Sequence, residues 1–392
     1  MQSRRLKREL TLGGAVVTGL GSILGTGAFV AIGLAAGMWG DHVLWAIPLA
    51  AMVAVFNGLS SAFLAGRFPV AGGTYEYGYQ TLNPWLGFAA GWLFLMAKTA
   101  SAATAALGVA LYLGIEGLWV PVVAVATVTG MVVAGVRRTA WLNLMLVAVS
   151  VGAIVWFAAT QTIRSGMDPI GPANLVPADL AAAVAFLFVA YTGYGRIATL
   201  GEEVKSPGAT IPRAILITLA VAACLYLLVE LGGRAYGGSF WGATGSVVDA
   251  GGAVVVAGAV AAMTGALLNL ILGLSRVWLA MGRREDMPSA LARLDRHDEP
   301  TVAILVSAFF VAALTFFGDI GLTWAFSAMT VLLYYGITNL AVLAIDRRRV
   351  TAWAGLASCL FLSFFVPIGV WLTGAAVLGV GLAWETTRTR TR

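Results

Sequence analysis

Two glycine-rich interruptions and one lysine stand out in a chain that is otherwise almost wholly apolar. Gly21-Ser22-Ile23-Leu24-Gly25-Thr26-Gly27-Ala28-Phe29 places glycines on both sides of a hydroxyl inside a long apolar run. Phe188-Val189-Ala190-Tyr191-Thr192-Gly193-Tyr194-Gly195-Arg196 does the same among aromatic residues. Where a helix opens, its N–H and C=O groups lose their partners and can hold an anion or a cation. Irregular backbone at membrane depth is tolerated only where it lines a cavity or is enclosed by protein. The other reading of the first interruption is a packing face, because Gly21 and Gly25 are spaced as GxxxG. Lys98, within Trp92-Leu93-Phe94-Leu95-Met96-Ala97-Lys98-Thr99-Ala100-Ser101, is a charge inside an apolar run. Such a charge costs roughly 2.5–3.5 kcal/mol on insertion scales and usually faces a cavity. It lies about 20 Å by helical rise from the end of its run near Trp85, too far for a four-carbon stem to reach water. A buried lysine can also exchange protons.

Other chemistries are poorly provided for. The two histidines, His42 and His297, lie in loop regions without metal-ligand neighbours, and Cys224 and Cys359 sit in apolar runs. No catalytic constellation, metal spacing or ATP-binding motif is visible, so neither an enzyme nor a cofactor is expected. A channel would need rings of polar or charged residues along a pore, and none is visible.

The elements that must position these residues follow from composition. Of 392 residues, 60% are hydrophobic and only 11% charged, and mean hydropathy is +0.89. Soluble domains carry about 25% charged residues, so the chain reads as a polytopic helical membrane protein. Apolar runs bounded by charges or turn residues predict twelve spans: 11–36, 43–66, 85–113, 118–135, 141–163, 178–201, 212–233, 252–281, 301–317, 322–345, 352–367 and 369–385. The last two are separated at Pro367, because a single helix over 352–385 would be about 51 Å long against a core of about 30 Å. With the N-terminus inside, twenty basic residues fall on the cytoplasmic side and only Arg164 and Arg234 on the other. That asymmetry predicts cytoplasmic termini and an even span number. The basic start has no obvious cleavage site after it. The net charge of +6 reads as topology, with no nucleic-acid partner expected.

The interruptions fall in the first and sixth spans. Five spans separate them, as expected of two inverted five-helix repeats whose broken helices mark a transporter's central site. On these residues the chain resembles the amino acid–polyamine–organocation transporter superfamily. Gly21 to Phe29 resembles its first-helix motif, and Ala190 to Tyr194 its sixth-helix break. Gly201-Glu202-Glu203-Val204-Lys205-Ser206-Pro207 resembles the loop into its seventh helix. Phe68 to Tyr75 resembles the amphipathic stretch after its second helix, and Ser275 to Pro288 the end of its eighth helix and the following loop.

The resemblance implies a substrate carboxylate held by Thr26, Gly27 and Ala28, and an ammonium held by carbonyls of Ile23, Val189 and Thr192. It makes Gly21, Gly25 and Gly193 helix-break positions and Tyr191 a substrate neighbour. Tyr194, Arg196 and Glu202 become gate candidates, with Glu203 an alternative partner for Arg196. Many proton-coupled relatives carry a lysine in the fifth helix, where alignment puts Ser150, and others an acid just after the sixth-helix break, where Gly195 stands. Lys98 is therefore expected to supply the titratable or charge-balancing group and to disfavour arginine, lysine and polyamines. Ser150 and Thr264 are weak sodium-site candidates; no other metal site is expected. Glu230 and Arg234 read as a surface pair, and Asn269 and Asn339 as hydrogen-bond glue between helices.

The expectation is an all-α secondary transporter for amino acids. Residues 10–345 would form the five-plus-five core (repeats at about 11–163 and 178–345), 352–385 a C-terminal helix pair, and 1–9 and 386–392 cytoplasmic tails. The setting is the lipid bilayer of the cell membrane. Energy would come from proton-coupled symport or from exchange; the alternative is sodium-coupled transport of another small organic solute.

Overall fold

The structure is a computed structural model that describes residues 10–70, 72–165, 175–235, 252–296 and 298–390. The basic residues of 1–9, Asp168, Asp249, His297 and Arg392 lie outside the described residues. Among the described residues, fifteen α-helices follow one another: α1 (Leu12–Thr26), α2 (Ile32–Trp39), α3 (His42–Arg67), α4 (Thr74–Thr81), α5 (Pro84–Leu113), α6 (Trp119–Val133), α7 (Val136–Ser165), α8 (Pro177–Tyr191), α9 (Gly195–Ala198), α10 (Pro207–Ala235), α11 (Gly252–Arg283), α12 (Thr301–Thr315), α13 (Ile320–Ile345), α14 (Val350–Ser363) and α15 (Ile368–Arg390). A π-helical turn, Gly27–Ala31, joins α1 to α2, and a 3₁₀ turn, Thr192–Tyr194, joins α8 to α9.

Among the described residues, nine helical spans are long and apolar enough to cross a membrane, and α6, α12 and α14 are shorter apolar helices. Each falls on one of the sequence's apolar runs. The amphipathic stretch before the third run forms α4, with Tyr75 and Tyr77 buried beneath it.

Local chemistry fixes several ends. Asn83 caps α5 by accepting from the Leu86 N–H at 2.8 Å, Pro84 opens the helix, and Gly114 closes it at φ 64°. That left-handed angle is cheap only for glycine or asparagine. Asp319 caps α13 in the same way, accepting from Leu322. Pro367 lies between α14 and α15, and the Trp371 indole N–H donates to the Ser363 carbonyl across the turn. The helix of α15 runs on to Arg390, so 386–390 continue a helix where the sequence predicts a tail. The cause is a set of contacts beyond the apolar run: Arg388 pairs with Asp286 at 2.6 Å, and the Trp384 indole donates to the Asp286 carbonyl.

In the interior α1 packs against α7, α10 and α11; α5 packs against α11 and α13; α8 packs against α3 and α13. Polar side chains tie these helices together. Asn269 donates to Asn143 at 2.6 Å, and Asn143 donates to the Val17 carbonyl, linking α11, α7 and α1. Asn339 donates to Asn57 and accepts from Ser60, linking α13 to α3. In lipid such bonds supply specificity that apolar contact does not.

Candidate functional site

The first interruption differs from the sequence expectation. α1 stays helical through Gly21 and Gly25. The reason is packing: a Cβ at Gly21 would meet the Asn143 side chain, and one at Gly25 would lie 2.5 Å from the Ala262 carbonyl oxygen. These two glycines serve the close approach of α1 to α7 and α11. The irregularity comes one turn later, as a wide π turn starting at Gly27. There the Gly27 N–H donates to the Leu24 carbonyl, so it does not stand free for an anion. Thr26 and Ala28 flank it, both buried.

The second interruption is a short turn between α8 and α9. The Thr192 N–H bonds back to Val189, and Thr192, Gly193 and Tyr194 form a tight 3₁₀ turn. The sixth-span break packs directly against α1, just before the π turn. A Cβ at Gly193 would lie 2.6 Å from both the Ser22 carbonyl oxygen and the Ile23 side chain, so only glycine allows this approach.

The carbonyls at this junction are held by side chains from three other helices. The Tyr226 hydroxyl of α10 is shared between the Ile23 and Ala190 carbonyls, at 2.8 Å from each. The Lys98 ammonium of α5 donates to the Thr192 carbonyl at 3.1 Å and to its hydroxyl at 3.0 Å. The Thr192 hydroxyl in turn donates to the Val189 carbonyl at 2.8 Å. Tyr335 of α13 also donates to the Thr192 carbonyl, at 3.4 Å. Lys98 is 4% exposed, so it turns inward to the sixth-span break and does not snorkel. Tyr191 stacks edge-on against Tyr226 at 4.9 Å and donates to the Ile47 carbonyl of α3. Tyr194 lies against Tyr335.

Tyr226 does not stand out in the sequence. It sits in an ordinary apolar run, and its role arises from the bundle's three-dimensional packing. Gly27 is the one local signal, because a Cβ there would collide with the Tyr226 hydroxyl.

Beyond the break, ion pairs close one end of the bundle. Arg196 lies 3.8 Å from Glu203, which also binds Arg276 at 3.0 Å. Arg276 reaches Glu299 at 3.4 Å. Burial alone would raise the Glu203 carboxyl, but Arg276 and Arg196 outweigh it and hold Glu203 below the usual carboxylate range. Burial pushes the Glu299 carboxyl upward. Glu202 pairs with Arg283 at 3.5 Å, so the partner of Arg196 is Glu203. The backbone of Leu10 bridges to Glu203 and Lys205, fastening the start of the described chain to this loop.

The remaining candidates stand apart from the junction. The buried Ser150 hydroxyl donates to the Leu146 carbonyl, and Thr264 to Val260, each within its own helix. Glu230 forms the expected i,i+4 pair with Arg234; the glutamate is buried, while Arg234 reaches outward to the exposed Asp41 at 2.9 Å. His42 lies between the Trp39 carbonyl and the Val176 N–H, a local structural role.

Among the described residues, an all-helical membrane bundle whose sixth-span break packs against the first span has the architecture of a membrane transporter. The amino acid permease family model matches residues 14–387. An uncharacterized transporter of Mycobacterium tuberculosis is 40% identical over 96% of this chain and 90% of its own. The branched-chain amino acid permease BcaP of Bacillus subtilis is 26% identical over 58% of this chain and 54% of its own. The crystal structure of MhsT in complex with L-phenylalanine shares the fold, with a TM-score of 0.63, 16% identity, and coverage of 96% of this chain and all of that one. The chain belongs to the amino acid permease family; its members here are transporters, not enzymes.

Proposed function

We propose that the chain carries amino acids across the cell membrane by alternating access around the junction of the first and sixth spans, with proton symport or exchange as the driving process. One observation supports this most directly: a buried cation and a buried hydroxyl, Lys98 and Tyr226, bind the backbone of the two interruptions from outside helices. Carbonyls that bind an ammonium donor from Lys98 can bind a substrate's ammonium by the same chemistry. The name of BcaP, a permease for branched-chain amino acids, agrees with the substrate class.

Lys98 is the proposed coupling residue. Its bond to the Thr192 carbonyl links its protonation to the geometry of the sixth-span break. Arg196, Glu203 and Arg276 are the proposed inner gate, with both termini on the cytoplasmic side. A fixed cation near the side-chain region disfavours arginine, lysine and polyamines.

The test is a thermal-shift screen of the twenty amino acids, polyamines and related acids. It is run at two pH values, with and without sodium, followed by counterflow of the best radiolabelled ligand in proteoliposomes. Stabilisation by an amino acid and saturable counterflow are expected. Lys98→Ala is expected to lower uptake and flatten its pH dependence; unchanged uptake with unchanged pH dependence would reject the coupling role. Stabilisation that requires sodium, by a solute other than an amino acid, would replace the whole reading.

A further inference from the structure

A small cavity lies beside the sixth-span break, between α5, α9 and α11. Its polar lining comes from Lys98, Arg196 and Asn269, and Phe94 and Leu270 supply apolar wall. It has about 10 Å³ of room, enough for one small group. Gly273 opens the wall next to Arg196, where a Cβ would already lie 3.3 Å from the arginine side chain.

The two ionisable side chains that line this cavity are both basic. Lys98 and Arg196 both line it, are 4% and 5% exposed, and no carboxylate is in the lining. Glu203 is 3.8 Å from Arg196 but closer to Arg276, at 3.0 Å, and Arg276 also takes Glu299. Arg276 thus engages both of these carboxylates, and neither enters the cavity lining beside Lys98 and Arg196. The Arg196 Nε–H is buried without a hydrogen-bond partner among the described residues. A buried donor or charge left unmatched is costly, and an anion in the cavity relieves it. Asn269 is not the donor such an anion would use. Its two amide N–H bonds already go to Asn143 and to the Gly265 carbonyl. Lys98, by contrast, has three N–H bonds and directs two of its contacts to Thr192.

We infer that this cavity is an anionic subsite in which Lys98 and Arg196 bind one carboxylate oxygen or a small inorganic anion. If the anion comes from the substrate, the inference rests on the proposed amino acid transport and narrows it to substrates with an acidic side chain. If it comes from solution, a chloride-sized ion bound beside Lys98 neutralises it during transport. The shared chemistry is a compact monovalent anion against two buried cations.

The test uses the purified full-length protein, with aspartate, glutamate, asparagine and glutamine as ligands, in chloride and in gluconate buffers. If the source is the substrate, the acids bind about tenfold or more tightly than their amides, as one charge-assisted hydrogen bond provides. The preference is lost in Lys98→Met and kept in Lys98→Arg. If the source is solution, chloride raises the melting temperature relative to gluconate, and Lys98→Met removes that rise. Acids that bind no more tightly than their amides, together with chloride that stabilises no better than gluconate, would overturn the subsite. Both of those comparisons use the wild-type protein, so they stand even if Lys98→Met does not fold. Should no amino acid bind at all, the transport reading fails, and the chloride arm alone decides the subsite.

Discussion

Tyr226 changes the reading of the carbonyls more than any other residue. From sequence alone, the Ile23, Val189 and Thr192 carbonyls stand open for a substrate's ammonium. In the structure each has a side-chain donor: Tyr226, the Thr192 hydroxyl and Lys98 respectively. A ligand that uses the Ile23 carbonyl must therefore compete with the Tyr226 hydroxyl. Tyr226→Phe removes the competitor and leaves two buried carbonyls short of a donor. The ligand-free variant is expected to lose about 1–3 kcal/mol, the usual penalty of unsatisfied buried polar groups. A ligand bearing an ammonium is expected to bind about fivefold more tightly, because one ordinary hydrogen bond no longer has to be displaced. Thermal melts of wild type and variant, with and without the best amino acid, measure both effects. An unchanged ligand-induced shift would show that the hydroxyl and the ligand do not share the carbonyl. Lys98 is legible because a charge is conspicuous in an apolar run, whereas Tyr226 is not, because a tyrosine among leucines carries no signal until its neighbours in space are known.

At the scale of helices, the approach of the sixth-span break to α1 depends on a single missing side chain. Gly193 faces the Ser22 carbonyl and Ile23, with 2.6 Å to each from a would-be Cβ. The nearer obstacle includes backbone, which cannot rotate away. Gly193→Ala is therefore expected to destabilise by about 1–3 kcal/mol, the range for overpacking, and to depress transport by forcing α1 away from the 3₁₀ turn. Gly336→Ala is the control: a Cβ there meets nothing within 4 Å, so it is expected to be neutral or to stabilise by up to about 1 kcal/mol through helix propensity. Equal loss in both variants, by thermal melt and uptake, would contradict the close approach. Composition reveals only part of this arrangement. The apolar runs mark where helices form, because hydropathy over about 20 residues is a strong signal. The kind of irregularity is not legible: Gly21 and Gly25 pack against α7 and α11, and the chain widens at Gly27 instead. Both outcomes use glycine, and only the neighbouring helices distinguish them.

Over the whole molecule, two polar clusters fasten distant parts of the chain at the ends of the helices. In the first, Glu203 holds Arg276 and Arg196. Its carboxyl is held below its ordinary value of 4.5, so its contribution to stability is complete above that pH and is lost as pH falls through the lower folded value. Glu203→Gln is expected to cost about 3–5 kcal/mol at neutral pH, as when one partner of a buried pair is removed. The difference from wild type should shrink in melts below pH 4.5. The second cluster joins the C-terminal end of α15 to the loop after α11 and to α4. Asp286, 2% exposed, accepts from the Tyr75 and Tyr79 hydroxyls at 2.6 Å each and pairs with Arg388 at 2.6 Å. Residues far apart along the chain meet there, so spacing in the sequence could not announce the cluster, and Arg388 reads there only as a topology signal. If the contact fastens α15, Arg388→Met should destabilise by about 1–3 kcal/mol, and Asp286→Asn by a similar amount. The double variant should then cost clearly less than the sum of the two, since neighbours in one network couple by about 0.5–3 kcal/mol. A cycle built from thermal melts measures that coupling. Strict additivity of the two substitutions would mean that Arg388 and Asp286 stabilise the fold independently, and that their ion pair does not fasten the end of α15.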